Sequence, residues 1–428
     1  MTQSKEEQNN ITKIIITDSE QLSATEEAIT GKSIVKKEEL VPSHLHLLST
    51  VENIPDKVDK NNVIRGIEYF LLQHGITEKI VHVKYLGGCS NHALKVTIET
   101  EENGLKNVLV RLPGSFSELL VNREAERVNT AIVAELGVCP AFAKQFAIKG
   151  NLLQLEGYKV EDFLENAKPL THETFNRHRK MALAQLKKVH QCGKQFETEY
   201  NLLERLKLMC YSLQGVVGER IFFNPQREGQ KYTTIDAIIL QIEQLEKLAK
   251  AFGKISLLPC HNDIPPFNFM IISKENEMDD IKIIDWEYGG MNDPMCELAY
   301  IANENGYHNR DAIIDLINDY YAGDQISNTE LQINIDRILF YLPLIDLKVA
   351  IWSLMQVHMC NQSQYIEELR SGWGPERYDR YLEKINSNEY KELLVFLESK
   401  LNHSITQHSL FKVRDHKVTS ETQITYTL

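Results

Sequence analysis

Short apolar runs with β-like alternation form the first regular pattern along the chain. Ile80 to Tyr85, Ala93 to Thr100 and Val108 to Leu112 predict three strands, and Asn103-Gly104 is typical of a hairpin turn between the last two. An amphipathic helical period follows, from Glu118 to Leu136. This order predicts a strand-rich unit that is followed by one helix.

Helical periods dominate the later part of the chain. After an extended segment at Lys159 to Phe163, Arg177 to Cys192 and Ile235 to Phe252 predict helices, whereas Leu257 to Asp285 is a compact β-rich stretch. Helical patterns then resume to about Lys400. Because strands concentrate in the first part and helices in the second, the chain is predicted to have an α+β fold.

The pattern divides the chain into four parts. Residues 1–60 show no sustained period, which predicts an extension that is partly disordered. Residues 61–158 are predicted to form a strand-rich lobe, and residues 159–403 a mainly helical lobe. Residues 404–428 are predicted to be a loose tail.

Composition narrows the possible partners and location. With 47 Lys+Arg against 60 Asp+Glu, the net charge of −13 disfavours nucleic acid and suits a cationic small molecule. The seven cysteines lack a CxxC pair or zinc-like spacing, so we expect reduced thiols. The chain start has no apolar signal core, and charged residues interrupt the longest apolar stretch, Leu331 to Cys360. We therefore expect a buried helix or a pair of buried helices there, no transmembrane segment and a cytoplasmic location. The oligomeric state stays open.

Two neighbouring motifs carry the strongest chemical signal, HNDIPPFN at His261 to Asn268 and IIDWEY at Ile283 to Tyr288. Phosphoryl transfer needs a carboxylate that orients and deprotonates the attacking hydroxyl, and oxygen ligands that hold Mg²⁺ on the phosphates of ATP. The predicted base is Asp263, in a catalytic loop that also includes His261 and Asn268. The predicted Mg²⁺ ligands are Asn268 and Asp285.

Each motif also has a simpler interpretation. The HND segment can be a turn capped by Asp263, and Asp285 can be an ordinary carboxylate at a strand end. A Ser-His-Asp or metal-hydrolase role for His261 is disfavoured, because no second His lies at metal-ligand spacing and the chain has no G-x-S-x-G. The order and spacing of both motifs together favour phosphoryl transfer.

The strand-rich part offers a candidate phosphate site. The turn Gly87-Gly88-Cys89-Ser90-Asn91 could bring backbone amides close to ATP phosphates, although glycine-rich hairpins are common. Arg111 ends a later strand and supplies a bidentate fork for phosphate. Glu126, or alternatively Glu124, is the expected partner of Arg111; the other interpretation is a solvated Glu in a charge run.

These segments resemble the choline/ethanolamine kinase family, especially its bacterial choline kinase branch, which shares a fold with the aminoglycoside phosphotransferases. The similar segments, from about Tyr85 to Tyr381, are LGGCSN, VLVRLPG with VNREAERVN, GYKVEDFLENAKPL, LLPCHNDIPPFNFMI, IIDWEYGGMNDPMCELA, and VAIWSLMQ with GWGPERYDRYL. The resemblance implies a bilobal protein-kinase-like fold, with a five-stranded N-lobe, a mainly helical C-lobe and ATP between them. It implies base Asp263, Mg²⁺ ligands Asn268 and Asp285, phosphate contacts Ser90, Asn91 and Arg111, and adenine contacts from Val160 to Phe163.

By the same resemblance, the expected acceptor is choline. A quaternary ammonium cannot donate a hydrogen bond, so its site uses aromatic faces and nearby carboxylates. Trp352 and Trp373 match the pocket aromatics of the family, although Trp352 can also be a core residue of an apolar helix. The chain departs from eukaryotic members at Val349, where they carry a pocket tryptophan, and at Ile-Pro-Pro-Phe, where they have a Gln-containing loop. The remaining expected substrate contacts are Tyr288, Glu287, Asp293 and Glu297.

Two alternative functions stay open at this point. The acceptor can be ethanolamine, thiamine or an aminoglycoside, although aminoglycoside kinases commonly have a more acidic pocket and lack the tryptophan pair. The chain can also be a catalytically silent kinase-like module that binds a nucleotide or a protein partner. The intact set of Asp263, Asn268, Asp285 and Arg111 argues against the silent module.

Overall fold

The structure is a computed structural model. It describes residues 79–88, 91–100, 104–113, 119–141, 154–155, 158–217, 220–221, 233–273, 279–360 and 368–410. All of them lie in one compact unit. The predicted N-terminal extension, residue Ser90 and most of the predicted C-terminal tail lie outside the described residues.

A five-stranded antiparallel sheet forms the first lobe, which confirms the predicted strand-rich unit. Its strands are β1 (Lys79–Gly87), β2 (Asn91–Thr100), β3 (Gly104–Pro113), β4 (Gln154–Leu155) and β5 (Tyr158–Asp162). They lie in the order β1-β2-β3-β5-β4. Thr100 pairs with Gly104, so β2 and β3 form the predicted hairpin. Alternation along β3 buries Val108, Val110 and Leu112 on one face.

One helix, α1 (Arg123–Glu135), follows this hairpin and contributes to the site. It was predicted to begin at Glu118 but begins at Arg123, because the side chain of Asn122 caps it by accepting a hydrogen bond from the backbone N–H of Ala125. The cap fixes the first turn, which carries Arg123 and Glu126.

The second lobe is mainly helical, as predicted. Its helices are α2 (His172–His190), α3 (Leu202–Val217), α4 (Ile235–Ala249), α5 (Pro294–Glu304), α6 (Arg310–Tyr320), α7 (Asn328–Met355), α8 (Gly374–Asn386) and α9 (Asn388–Leu410). The last of these runs into the predicted tail. Small sheets lie among them: β6 (Ala167–Pro169) with β10 (Phe269–Ile272) and β11 (Asp280–Ile283), β7 (Arg220–Ile221) with β8 (Thr233–Thr234), and β9 (Leu258–Cys260) with β12 (Gly290–Asn292).

Helix α7 lies at the centre of the hydrophobic core of the second lobe. Buried residues such as Ile338, Leu347 and Ile351 lie on several sides of it, so it is enclosed by its neighbours. Within the described part of the chain, Asn328–Met359 is long and apolar enough to cross a membrane, but 83% of its most apolar window is buried inside the protein. The predicted buried helix at Leu331 to Cys360 is therefore present as one helix that continues into a π-helical turn at Gln356–Cys360.

Candidate active site

The loop between β9 and β10 is held by Asn262, whose backbone is left-handed with φ of 68°. Its side-chain nitrogen donates to the carbonyls of Tyr288 and Gly290, at 2.9 and 3.3 Å, and its side-chain oxygen accepts from Asn292. Asparagine tolerates this conformation better than most residues, and here its amide connects the loop to β12. Asn262 had no predicted role of its own within the HND segment.

Glu297 supports the same loop from α5. Its Oε1 accepts the backbone N–H groups of His261 and Asn262 at 2.6 and 2.8 Å, and its Oε2 lies 2.6 Å from Nε2 of His190. Burial alone would raise the pKa of Glu297, but the hydrogen bond and charge of His190 lower it. Glu297 was predicted to contact the substrate; in this structure both of its oxygens hold buried protein groups, so its visible role is to support the loop.

His261 lies under the loop and away from solvent. Its Nε2 lies 2.8 Å from the carbonyl oxygen of Ile284, and its Nδ1 accepts the backbone N–H of Asp263 at 3.3 Å. The ring packs 4.5 Å from that of Trp286, and burial lowers the pKa of His261. His261 was predicted as a catalytic residue. Its position is that of a neutral residue that orients Asp263.

Asp263 reaches the open side of the loop. Its Oδ1 accepts a hydrogen bond from Nζ of Lys348 at 2.8 Å and another from the hydroxyl of Tyr300 at 2.9 Å. Among the described residues no donor contacts Oδ2, and 27% of the side chain is exposed. Burial alone would raise the pKa of Asp263, but the charge and hydrogen bond of Lys348 lower it, helped by the hydrogen bond from Tyr300. The result is an ionised carboxylate with one fixed and one available oxygen.

Asn268 and Asp285 bring oxygen ligands to the same region. The amide nitrogen of Asn268 donates to the carbonyl of Asp263 at 2.9 Å, which leaves its side-chain oxygen for another partner. The carbonyl of Asn268 accepts the N–H of Ile284 at 2.9 Å, so β11 delivers the next residue, Asp285, beside the loop. Burial raises the pKa of Asp285, although the charges of Arg111 and Lys159 act against it. An amide and a carboxylate oxygen fit Mg²⁺.

Arg111 connects the two lobes at this point. Its Nη2 lies 2.5 Å from Oε1 of Glu126, and its Nη1 lies 3.4 Å from Oδ1 of Asp285. The structure therefore gives Arg111 the predicted partner Glu126, whereas Glu124 pairs with Arg127 on the surface.

Asn91 and Glu287 lie together beside this pair. The amide nitrogen of Asn91 donates to Oε2 of Glu287 at 2.8 Å, and Nη1 of Arg123 lies 3.0 Å from the same oxygen. Burial, with the charge of Asp285, raises the pKa of Glu287 to about 7. Glu287 was predicted to contact the substrate cation, but the structure places it with the candidate phosphate contacts of the first lobe.

The turn between β1 and β2 requires glycine. Gly88 has φ of 138°, and a Cβ there would lie 1.8 Å from the carbonyl oxygen of Asn91.

The expected adenine contacts lie on and after β5. Val160 is buried opposite Val110, and Phe163 follows β5, with Nζ of Lys95 4.3 Å from the centre of its ring.

Two of the three expected pocket aromatics lie together. The rings of Trp352 and Trp373 are edge to face, 6.1 Å apart, and both are only partly buried. The guanidinium of Arg377 lies 5.9 Å from the centre of the Trp373 ring. Tyr288 instead faces Lys348, with Nζ 5.2 Å from its ring centre. The predicted third wall is therefore already in contact with a cation of the protein itself.

Lys348 and Tyr300 are the main site residues that the sequence analysis missed. Lys348 lies on α7 and Tyr300 on α5, and both bond the same oxygen of Asp263. The available signal for Lys348 was a cation in the apolar run from Leu344 to Ile351, since a buried lysine needs a partner. For Tyr300 the sequence offered no comparable signal.

The first lobe has five strands and a buried Arg–Glu pair, and the helical lobe has an Asp–Asn loop and an aspartate that follows a strand. This combination defines the class of bilobal, protein-kinase-like phosphotransferases.

Comparison with known proteins identifies the family. A family model described as choline/ethanolamine kinase matches residues 83–371, so the chain belongs to the choline/ethanolamine kinase family. Protein LicA of Haemophilus influenzae is 26% identical over 239 residues, which are 55% of this chain and 60% of that protein. The matched part is thus less than two thirds of that relative.

Solved structures show the same fold. Choline kinase LicA from Streptococcus pneumoniae has a TM-score of 0.53 and 23% identity, and the match covers 74% of this chain and 98% of that one. LicA has also been solved in complex with AMP, again with a TM-score of 0.53, at 22% identity, over 74% and 96% of the two chains. An ethanolamine kinase of Plasmodium vivax has a TM-score of 0.59 and 15% identity over 84% and 98%. The predicted family and the α+β, bilobal fold are confirmed.

Proposed function

We propose that this chain transfers the γ-phosphoryl group of ATP to the hydroxyl of an amino-alcohol, with choline as the preferred acceptor. The observation that carries the proposal is Asp263, whose Oδ1 is fixed by Lys348 and Tyr300 while Oδ2 is available on the open side of the loop. A carboxylate fixed in this way can orient an acceptor hydroxyl and take its proton.

The other residues have roles that follow from their contacts. Arg111, held by Glu126, would bind phosphate oxygens of the nucleotide, as would Asn91. Ser90 is proposed as a further phosphate contact from the family resemblance alone. Asn268 and Asp285 would hold Mg²⁺, which when bound neutralises charge on the phosphates. The AMP complex of LicA supports the use of an adenine nucleotide.

The preference for choline rests on the Trp352–Trp373 pair. Two partly exposed indoles at 6.1 Å offer the aromatic faces that a quaternary ammonium requires. Ethanolamine is the second candidate, because Tyr288 faces Lys348 and so offers one aromatic wall fewer than expected. The named ethanolamine kinase from Plasmodium vivax has the same fold, which is compatible with either acceptor.

The test is an ADP-release assay with the full chain, ATP and Mg²⁺, and separately choline, ethanolamine, thiamine and an aminoglycoside. We expect the highest kcat/KM with choline. Asp263→Ala should lower kcat by about two to four powers of ten, the scale of a lost general base, while ATP still binds. Failure of all four acceptors with the wild-type chain would contradict the proposal and favour a silent nucleotide-binding module.

A further inference from the structure

Lys348 places an ammonium group inside an aromatic cage next to Asp263. Its Nζ lies 5.0, 5.2 and 5.9 Å from the ring centres of Tyr300, Tyr288 and Tyr200. Nζ also donates to Oδ1 of Asp263 at 2.8 Å and to the carbonyl of Asn262 at 3.1 Å. Aromatic faces with a carboxylate are the chemistry by which proteins recognise ammonium ligands.

The cage is filled by the lysine. The cavity that remains beside Lys348, lined by Tyr200, Tyr300 and Asn262 among others, measures about 10 Å³, which is too small for a trimethylammonium group. Burial alone would lower the pKa of Lys348, but Asp263 and Tyr200 raise it, so the group stays charged. Outside the cage, the guanidinium of Arg205 lies 5.3 Å from the ring centre of Tyr200.

An amino-alcohol has two ends that Asp263 could attract. A bare carboxylate within an aromatic cage would bind the ammonium end more strongly than the hydroxyl end, and the molecule would then sit reversed. Because the Lys348 ammonium occupies the cage and pairs with Oδ1 of Asp263, the hydroxyl end of the acceptor is the end that can approach Oδ2. Trp352 lies one helical turn beyond Lys348 on α7, so its indole is on the same side of the helix and available to the ammonium end.

We propose that Lys348 is a specificity-determining residue that fixes the direction in which the acceptor binds: its ammonium fills the Tyr200–Tyr288–Tyr300 cage and so excludes the acceptor's ammonium from Asp263. This inference rests on the proposed function, because it concerns the acceptor of that reaction. It adds a positioning role, since Lys348 and Tyr300 together fix Oδ1 of Asp263.

The kinetic test compares Lys348→Ala with wild type on choline and on 3,3-dimethyl-1-butanol, its neutral isostere. In the variant, reversed choline occupies the opened cage unproductively, so kcat and KM for choline should both fall about tenfold relative to the isostere. The KM for the isostere should stay unchanged, since it carries no ammonium. Equal changes for both alcohols, or a KM for choline that does not fall, would overturn the proposal.

Two further variants separate charge from position. Tyr300→Phe removes the other donor to Oδ1 without changing any charge, so it should lower kcat for both alcohols alike and leave their KM ratio as in the wild type. Lys348→Met keeps the cage filled but removes the charge, and it also serves if Lys348→Ala does not fold. It should leave the KM for choline relative to the isostere as in the wild type, and a fall in that ratio would count against exclusion by the filled cage.

A binding measurement keeps the inference testable if the wild-type chain phosphorylates no amino-alcohol. Trimethylammonium has no hydroxyl and has one N–H that can donate to Asp263, so it tests the cage without turnover. Calorimetry should show at least roughly tenfold tighter binding to Lys348→Ala than to the wild type. Lys194→Met, at an exposed pair with Glu135, is the control that should bind like the wild type. Equal affinity of Lys348→Ala and wild type would overturn the assignment of the cage.

Discussion

Arg111 and Glu126 form an ion pair that is almost completely buried, with Nη2 and Oε1 2.5 Å apart and side-chain exposures of 6% and 0%. One residue comes from β3 and the other from α1. Arg123 adds a second contact to Glu126 at 2.9 Å, so this carboxylate links the sheet, the helix and the candidate phosphate site.

Loss of the Glu126 carboxylate should therefore affect both stability and nucleotide use. Glu126→Gln leaves Arg111 without its buried counter-charge, and breaking a buried pair typically costs about 3 to 5 kcal/mol. We expect a lower free energy of unfolding in urea and a higher KM for ATP, with the KM for the acceptor less affected. Since Arg111 also lies 3.4 Å from Asp285, part of the kinetic effect should come from a displaced guanidinium.

Glu124→Gln is the matched control on the same helix. Glu124 pairs with Arg127, and its side chain is 70% exposed, so its loss should leave the unfolding free energy close to that of the wild type. If both substitutions have equally small effects, Glu126 has no special role in the first lobe.

Glu297 should affect turnover through the loop that it supports. Glu297→Gln keeps the size of the side chain but replaces one oxygen by an amide, which cannot accept from both the loop and His190. We expect kcat to fall roughly ten- to a hundredfold, the scale of a misplaced reacting group, with both KM values little changed. Steady-state kinetics checks this, with the exposed Glu204→Gln on α3 as control. A variant with wild-type kcat would show that the loop holds without Glu297.

The contacts of Glu287 and Glu297 show which features of the site the sequence can and cannot predict. Local signals located the strands, the helices and the Asp263, Asn268 and Asp285 motifs, because turn chemistry and periodicity act over few residues. They did not reveal which way Glu287 and Glu297 point, since each lies in or near a motif and was taken to share its role. The direction in which a side chain points depends on partners that only folding brings together. Lys348 meets Asp263 across 85 residues of chain, and no local pattern reports such a contact.

Asp285 should determine how the chain uses Mg²⁺. Asp285→Asn removes the carboxylate but preserves the size of a residue whose backbone is left-handed, with φ of 67°. We expect affinity for ATP to depend much less on Mg²⁺, with the apparent metal affinity lower by roughly tenfold or more, while metal-free ATP binds nearly as before. Calorimetric titrations of ATP with and without Mg²⁺ measure this directly.

Asp280→Asn, on the strand that precedes Asp285, is the control for Asp285. Oδ2 of Asp280 lies 3.2 Å from Nζ of Lys282, and Asp280 pairs with Ile272 at the end of β10 that is away from the loop. Its loss should therefore leave the Mg²⁺-dependence of ATP binding intact. An Asp285→Asn chain with the same Mg²⁺-dependence as wild type would move the metal site elsewhere.

Trp373 should distinguish choline from ethanolamine. A trimethylammonium group must place its methyl groups against aromatic faces, whereas a primary ammonium can satisfy itself by hydrogen bonds to oxygen atoms. Each desolvated cation–π contact contributes roughly 1 to 2 kcal/mol, so Trp373→Ala should lower kcat/KM for choline about tenfold and for ethanolamine less. Because Trp373 also packs on Trp352 and Arg377, the unfolding free energy must be measured alongside. Phe396 on α9 is 47% exposed, and Phe396→Ala should leave kcat/KM for choline and for ethanolamine unchanged. Equal losses for the two acceptors would mean that Trp373 supports the fold of this region and does not bind the ammonium.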